Sequence, residues 1–266
     1  KKFFLTVEEI QAIREGYIYI HDMSARRDTM NCCLFDVQNV LSGGFEMGNL
    51  WYNEPKTLDV AFDVIGDIVL SAASQQYGGF TVPCVDDILE PYAEKSHKKL
   101  LKKYKELGLP DEKAEEVAWA DLEKEMEQGF QGWEYKFNSV SSSRGDYPFI
   151  TVTAGINTSK YGKLATITML KVRQKGQGKK GHKKPVLFPK IVFLYDENLH
   201  GEGKELEDLF DNAVETSKQC MYPDFLSLDA GYVGEIYHKY KKAISPMGRR
   251  KPIAHPFEPH YSVGVA

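Results

Sequence analysis

The chain has 266 residues, 42% of them hydrophobic and 27% charged, with 34 basic against 38 acidic side chains for a net charge of -4. That composition excludes wholesale disorder, supplies enough apolar material for a substantial core, and leaves one large domain or two small ones open. The balanced charge gives no overall field that would draw the molecule to a nucleic acid or a membrane, so any anion site must be local.

In chain order, Thr6 and Glu9 stand at capping-box spacing ahead of Ile10 and Ile13, and Gly16 closes a short helix. Tyr17 to Asp22 alternates aromatic and β-branched residues and reads as a strand ending in His21 and Asp22. Cys32 to Val37 is a second β-prone run, leading through Gly43 and Gly44 into a loop. Leu58, Ala61, Phe62, Ile65, Ile68, Val69 and Ala72 recur at helical spacing, with Thr57 placed to cap the start. Residues 86–130 are the most charged section and read as two solvated amphipathic helices, the second restarted by Pro110 and Asp111.

From Phe149 the pattern turns to Thr, Ile and Val. Ile150–Ile156 and Leu164–Val172 read as strands around Asn157 to Gly162, which predicts a hairpin. Val186 to Tyr195 reads as a further strand, with Pro189 requiring an edge or a bulge, and a helix follows on Leu206, Leu209, Phe210, Ala213, Val214 and Ser217. Alternating strands and helices place the chain in the α/β class. The stretch from Lys171 to Lys184 holds seven basic residues and no acidic one, interrupted by Gly176, Gly178 and Gly181. Its glycines let backbone N–H groups approach an anion and its lysines could neutralise one; a solvated basic loop has the same composition. Ser142, Ser143, Arg144 and Gly145 leave the same pair of readings open.

Cys32, Cys33, Cys84 and Cys220 form no C-x-x-C pair, so neither a zinc ribbon nor a dense disulfide framework fits, and a reducing compartment follows. The N-terminus breaks into Thr6-Val7-Glu8-Glu9 before a signal-peptide core develops, and no apolar run approaches about 18 residues, so the chain reads as cytoplasmic, with no membrane partner. There is no G-x-S-x-G, no Walker A lysine loop and no H-E-x-x-H.

A series of short segments stands in fixed order: Tyr19-Ile20-His21-Asp22, Met30-Asn31-Cys32-Cys33-Leu34, Gln76-Tyr77-Gly78-Gly79-Phe80, Asn138-Ser139 with Ser143 to Phe149, Phe188-Pro189-Lys190, Met221-Tyr222-Pro223-Asp224 and Ser245-Pro246-Met247-Gly248. Together these resemble the anaerobic (class III) ribonucleoside-triphosphate reductases, a glycyl-radical enzyme family. The resemblance implies the first half of a ten-stranded α/β barrel over residues 1–248, with long helices at a dimer and effector face within 86–190, and a tail, 249–266, unlike the family. It implies ribonucleoside triphosphate as substrate, dNTP and ATP as effectors, and formate or a dithiol as reductant. It also implies a homodimer, and a glycyl radical made by a radical S-adenosylmethionine iron–sulfur activating protein. Zinc is expected only in a part of the family that this sequence does not contain, and no nucleic acid is expected.

Carried onto this sequence, the resemblance puts the family's second cysteine in the Asn31-Cys32-Cys33 strand; neighbours on a strand face opposite ways, so Cys32 is taken as the catalytic one and Cys33 as a core residue. His21, Asp22 and Asn31 become substrate-binding candidates, a buried His21–Asp22 pair that holds loops together being equally open. Arg173, Lys175, Gly176, Gly178, Lys179 and Lys180 become effector-binding candidates. Where the family has its thiyl cysteine after Pro-Met-Gly, this sequence has Arg249, and a guanidinium forms no thiyl radical. The expectation is therefore a truncated part of the reductase, inactive alone, with a wide apolar sheet face left exposed. A catalytically silent nucleotide-binding and dimerisation module is the alternative; a formate-lyase relative is argued against by the Asn31-Cys32-Cys33 and Ser143-Arg144-Gly145 segments.

Overall fold

The computed structural model describes residues 6–17, 32–76, 78–141, 147–229, 231–240, 243 and 245. Helix α1 (Val7–Arg14) is closed at its N-terminus by the Thr6–Glu9 capping box and buries none of its residues. The strand read over Tyr17 to Asp22 lies outside the described residues apart from Tyr17. Strand β1 covers only Cys33–Leu34, and the rest of that β-prone run turns into helix α2 (Val37–Leu41), which the Asp36 carboxylate caps at the Asn39 N–H. Strands β2 (Phe45–Met47) and β3 (Leu50–Tyr52) form a small antiparallel hairpin in which the Phe45 and Tyr52 rings stack.

Helix α3 (Leu58–Ala73) follows the predicted stripe, although Thr57 does not cap it; its hydroxyl bonds to the Asp59 carboxylate instead. Strand β4 (Phe80–Val82) leads into the long helices α4 (Val85–Glu106) and α5 (Asp111–Ser139). These are more than solvated charged helices. Leu89, Ala93, Leu122, Met126, Phe130, Trp133 and Phe137 sit in the main core, and His97 of α4 bonds through Nδ1 to the Tyr161 hydroxyl at 3.0 Å.

Strand β5 (Ile150–Ala154) is followed by helix α6 (Lys160–Lys175), so the predicted hairpin is absent. The Ser159 side chain caps α6 at the Gly162 N–H. Leu164, Ala165, Met169 and Val172 recur at helical spacing and are buried; that tertiary packing overrides the strand propensity of the Thr-Ile-Thr run. Strand β6 (Lys190–Tyr195) begins after Pro189, which therefore needs neither edge nor bulge in the ladder. Helices α7 (Glu197–His200) and α8 (Glu207–Cys220), strand β7 (Asp224–Ser227) and helix α9 (Gly231–Tyr240) complete the described chain.

The main sheet runs β1-β4-β5-β6-β7 with every neighbouring pair parallel. Parallel neighbours need crossovers rather than tight turns, and the helices supply them. One face packs Cys33, Phe80, Val82, Ile150, Val152, Ala154, Ile191 and Phe193 against the helices in a single core. The other face is neither wide and apolar nor exposed: Thr81, Thr151, Thr153, Val192 and Leu194 are all buried. No described helix is long and apolar enough to cross a membrane.

Candidate functional site

Period-two alternation of side chains builds the candidate site. Because Ile150, Val152 and Ala154 face the helices, Thr151 and Thr153 face the opposite way. The register then places Leu34, Thr81, Thr151 and Lys190 in one row across four strands. The same alternation separates the adjacent cysteines. Cys33 lies in the core, where burial above all, with the neighbouring Cys32 adding to it, pushes its thiol up to about 11. Cys32 is half-buried, and its Sγ accepts the Gly79 N–H at 3.2 Å.

At the C-terminal ends of the strands, where open parallel sheets bind their ligands, the groups are polar and largely satisfied. The Thr153 hydroxyl accepts the Cys84 N–H at 2.9 Å and lies 2.9 Å from the Ser245 hydroxyl. Cys84 holds left-handed backbone at φ 49°, and its thiol is pushed well up by burial and by the charges of Asp86 and Asp87. Asp86 accepts the Gly155 N–H at 2.9 Å and the Thr166 hydroxyl at 3.3 Å. Its burial first, then the Asp87 charge, raises it to about 7. The Asn157 amide donates to Asp87 at 2.8 Å and Glu90 at 2.7 Å. His200 Nε2 sits 2.8 Å from the Gly155 carbonyl, and burial holds its pKa below the usual imidazole range.

The basic glycine loop is a second cluster. Arg173 and Lys175 lie in the last turn of α6 and are already engaged. Arg173, 1% exposed, donates to Glu134 at 2.8 Å and to the Pro189 carbonyl at 2.7 Å, and Lys175 pairs with Glu127 at 2.7 Å. Gly176 ends the helix at φ 60°, where a Cβ would meet the Lys184 carbonyl at 2.7 Å, and a Gln177–Lys184 bridge closes the loop. Gly178, Lys179 and Lys180 stand exposed beyond it.

Both ends of this loop are fixed to α5. Gln177 donates to Glu134 at 2.6 Å. One turn further along, Asn138 donates to the Phe188 carbonyl at 2.6 Å and accepts the Phe188 N–H at 3.1 Å.

His21, Asp22, Asn31, Arg249 and the Ser142–Gly145 turn lie outside the described residues. Among the described residues, no group of three or more His, Cys, Asp or Glu side chains is placed to hold a metal. The sequence reading missed Thr151, Thr153, Asp86 and Asn157 as site residues. Alternation within Ile150–Ala154 carries a signal for the two threonines, whereas nothing local marks Asp86, whose setting comes from segments about seventy residues away.

The family described as anaerobic ribonucleoside-triphosphate reductase (NRDD) matches residues 1–265, a span that takes in the stretch after Gly248. An anaerobic ribonucleoside-triphosphate reductase of Haemophilus influenzae is 36% identical over 253 residues, covering 94% of this chain and 34% of the relative. The chain thus spans about a third of that relative's length. Two crystal structures of the anaerobic ribonucleotide reductase from Thermotoga maritima share the fold at 16% identity. The one with citrate in the active site has a TM-score of 0.55 and covers 85% of this chain and 41% of that one. The one in complex with dATP and CTP has a TM-score of 0.53 and covers 85% and 37%.

Proposed function

The chain belongs to the anaerobic ribonucleoside-triphosphate reductase family, and from that premise we propose that it contributes to the reduction of ribonucleoside triphosphates to deoxyribonucleoside triphosphates. The observation that carries this reading is the two-faced parallel sheet. One face packs against the helices of the main core and the other, also buried, carries Thr81, Thr151 and Thr153, while Cys32, just ahead of β1, is half-buried. In this reading the sheet is the first half of a ten-stranded barrel and its threonine face lines the reaction chamber.

Cys32 is the thiol that this chain brings to the chemistry, half-buried and held by the Gly79 N–H, whereas Cys33 lies in the core. His21, Asp22 and Asn31 contact the substrate. The glycyl radical supplies the hydrogen-atom chemistry of the family, its activating protein and the formate or dithiol reductant being further proposed partners. Residues 86–190 form the effector and dimer region. The exposed Gly178, Lys179 and Lys180 receive the phosphates of a deoxynucleotide or ATP, while Arg173, Lys175 and Gly176 hold the loop that presents them. The dATP bound by the Thermotoga protein is consistent with this assignment.

A second reading, a nucleotide-binding and dimerisation module without turnover, is favoured by one residue. Arg249 stands where the resemblance puts the thiyl cysteine. Both readings share the effector loop, so calorimetric titration with dATP, dGTP and dTTP, with circular dichroism on the same sample, tests it directly. Saturable binding is expected, weakened about tenfold by the Lys179→Ala/Lys180→Ala pair and by added salt. No binding by a folded chain, or an affinity indifferent to both changes, overturns the assignment. Ribonucleotide reduction by the chain supplemented with the activating protein and reductant would remove the second reading.

A further inference from the structure

Helices α4, α5 and α6 meet at His97. The ring belongs to α4 and is buried, at 3% exposure. Trp119 of α5 and Tyr161 of α6 meet it edge-on, with centroids 5.5 and 5.8 Å away. Its Nδ1 lies 3.0 Å from the Tyr161 hydroxyl. Its Nε2 is buried and has no hydrogen-bond partner among the described residues, although a carboxylate oxygen of Glu115 lies 3.4 Å away. That half-exposed carboxylate is shared with Lys160, whose ammonium stands 3.9 Å from the same oxygen and lies 5.2 and 4.9 Å from the ring centres of Trp119 and Tyr161.

A carboxylate beside Nε2 favours the tautomer that carries its proton there, which makes Nδ1 the acceptor of the Tyr161 O–H and ties α4 to α6. A second proton then enters at Nδ1. It turns that acceptor into a donor, so the Tyr161 hydroxyl hydrogen must swing away, and it puts a full charge in a buried ring beside the Lys160 ammonium. Glu115 is the carboxylate that faces this charge. On α4 itself Glu94 and Lys98 pair with each other at 2.6 Å, and Glu125 of α5 accepts the Ser96 hydroxyl and the Asp59 N–H, both at 2.9 Å. The acids of α3 are engaged by Thr57 and Lys136, and β5, which also packs on α4, carries no titratable side chain. Burial outweighs the pull of Glu115, and Lys160 adds to it, so the folded ring holds a proton less tightly than an ordinary imidazole.

We propose that His97 is a proton-operated switch at the junction of α4, α5 and α6. The neutral ring locks Tyr161 to α4; the charged ring releases it and draws Glu115 away from Lys160, so the N-terminal turns of α5 and α6 loosen together. Because the folded ring binds its proton less tightly than the ring of the unfolded chain, the junction is at full strength above 6.5 and weakens as the pH falls below it. The switch concerns the helices themselves and stands whether or not the lysine loop binds a nucleotide.

NMR of isotope-labelled imidazoles in the full chain, from about pH 8 down to about pH 5, tests this, with His97 assigned from the signal missing in His97→Gln. Circular dichroism on every sample shows that each variant is folded. The expected result is a His97 midpoint below 6.5, lower still in Glu115→Gln, where the counter-charge is gone, and higher in Lys160→Met. Amide exchange in the first turns of α5 and α6, referred to His97→Gln at each pH, should quicken by up to about tenfold per pH unit in that interval. A ring that titrates at or above 6.5 or stays neutral to about pH 5, a midpoint unmoved in Glu115→Gln, or exchange that runs the same course in the parent and His97→Gln overturns the proposal. If His97→Gln does not fold, Glu115→Gln carries the test: the exchange profile must move to lower pH, and a profile that stays in place overturns the switch.

Discussion

Asp86 shows how one residue takes its properties from distant segments. It is fully buried at the start of α4, with the Gly155 N–H and the Thr166 hydroxyl as donors. Those two bonds do not offset its desolvation and the nearby Asp87 charge, so the carboxyl keeps its proton to about 7 rather than 3.8. The folded chain therefore binds more protons than the unfolded chain across that interval. Its contribution to stability is complete below 3.8 and is lost as the pH rises to about 7. The amide of Asp86→Asn can accept the same two bonds without titrating. The variant should gain stability relative to the parent between those two pH values, read from paired urea denaturation curves; parallel profiles would show that Asp86 is ionised in the fold.

At the scale of an element, α5 joins the core to the loop. Its inner face carries Phe130, Trp133 and Phe137, and the Phe62 ring of α3 meets Phe130 edge-on at 5.0 Å and Trp133 at 4.8 Å. Gly129 allows this close crossing, since a Cβ there would lie 2.2 Å from the Phe62 ring. Gly129→Ala forces that ring to move in a packed core and should cost about 1–3 kcal/mol despite the better helix propensity of alanine. A thermal melt measures it, and an unchanged or raised Tm would show that the crossing has slack. The flank of α5 next to that face carries Glu134 and Asn138, the two residues that hold the ends of the basic loop. The buried Arg173–Glu134 pair fixes loop geometry more than it adds net stability, because desolving both charges offsets most of their attraction.

Across the whole molecule, protection from water follows distance from the sheet edges. Strands β4, β5 and β6 lie between two neighbours and have both faces buried, whereas α1 buries nothing. Native-state hydrogen exchange should therefore be slowest in β5 and β6 and fastest in α1. Equal protection of α1 and β5 would mean that the chain opens only as a single unit. The same architecture separates the two proposed sites. The threonine face belongs to the strands, while the lysine loop belongs to α5 and α6, so a change in one can leave the other folded.

How much of this was legible in the sequence depended on the range of the forces involved. The capping box at Thr6 and Glu9, the stripe of α3, the charged pair α4 and α5 and the helix α8 are local patterns. Each was readable because period and cap act within a few residues. The ordered motifs were enough to name the family. The Leu164–Val172 stretch was misread because its β-branched residues favour a strand, while only the need to bridge two parallel strands makes it a helix. Two more results came from tertiary structure alone. Arg173 proved to be a buried anchor and Lys179 an exposed side chain, although both sit in one basic run. Thr151 and Lys190 became neighbours only when β5 and β6 came into register. Composition and period determine what a segment prefers; pairing between distant segments decides which charges are buried, which donors go unmet and hence where a ligand can bind.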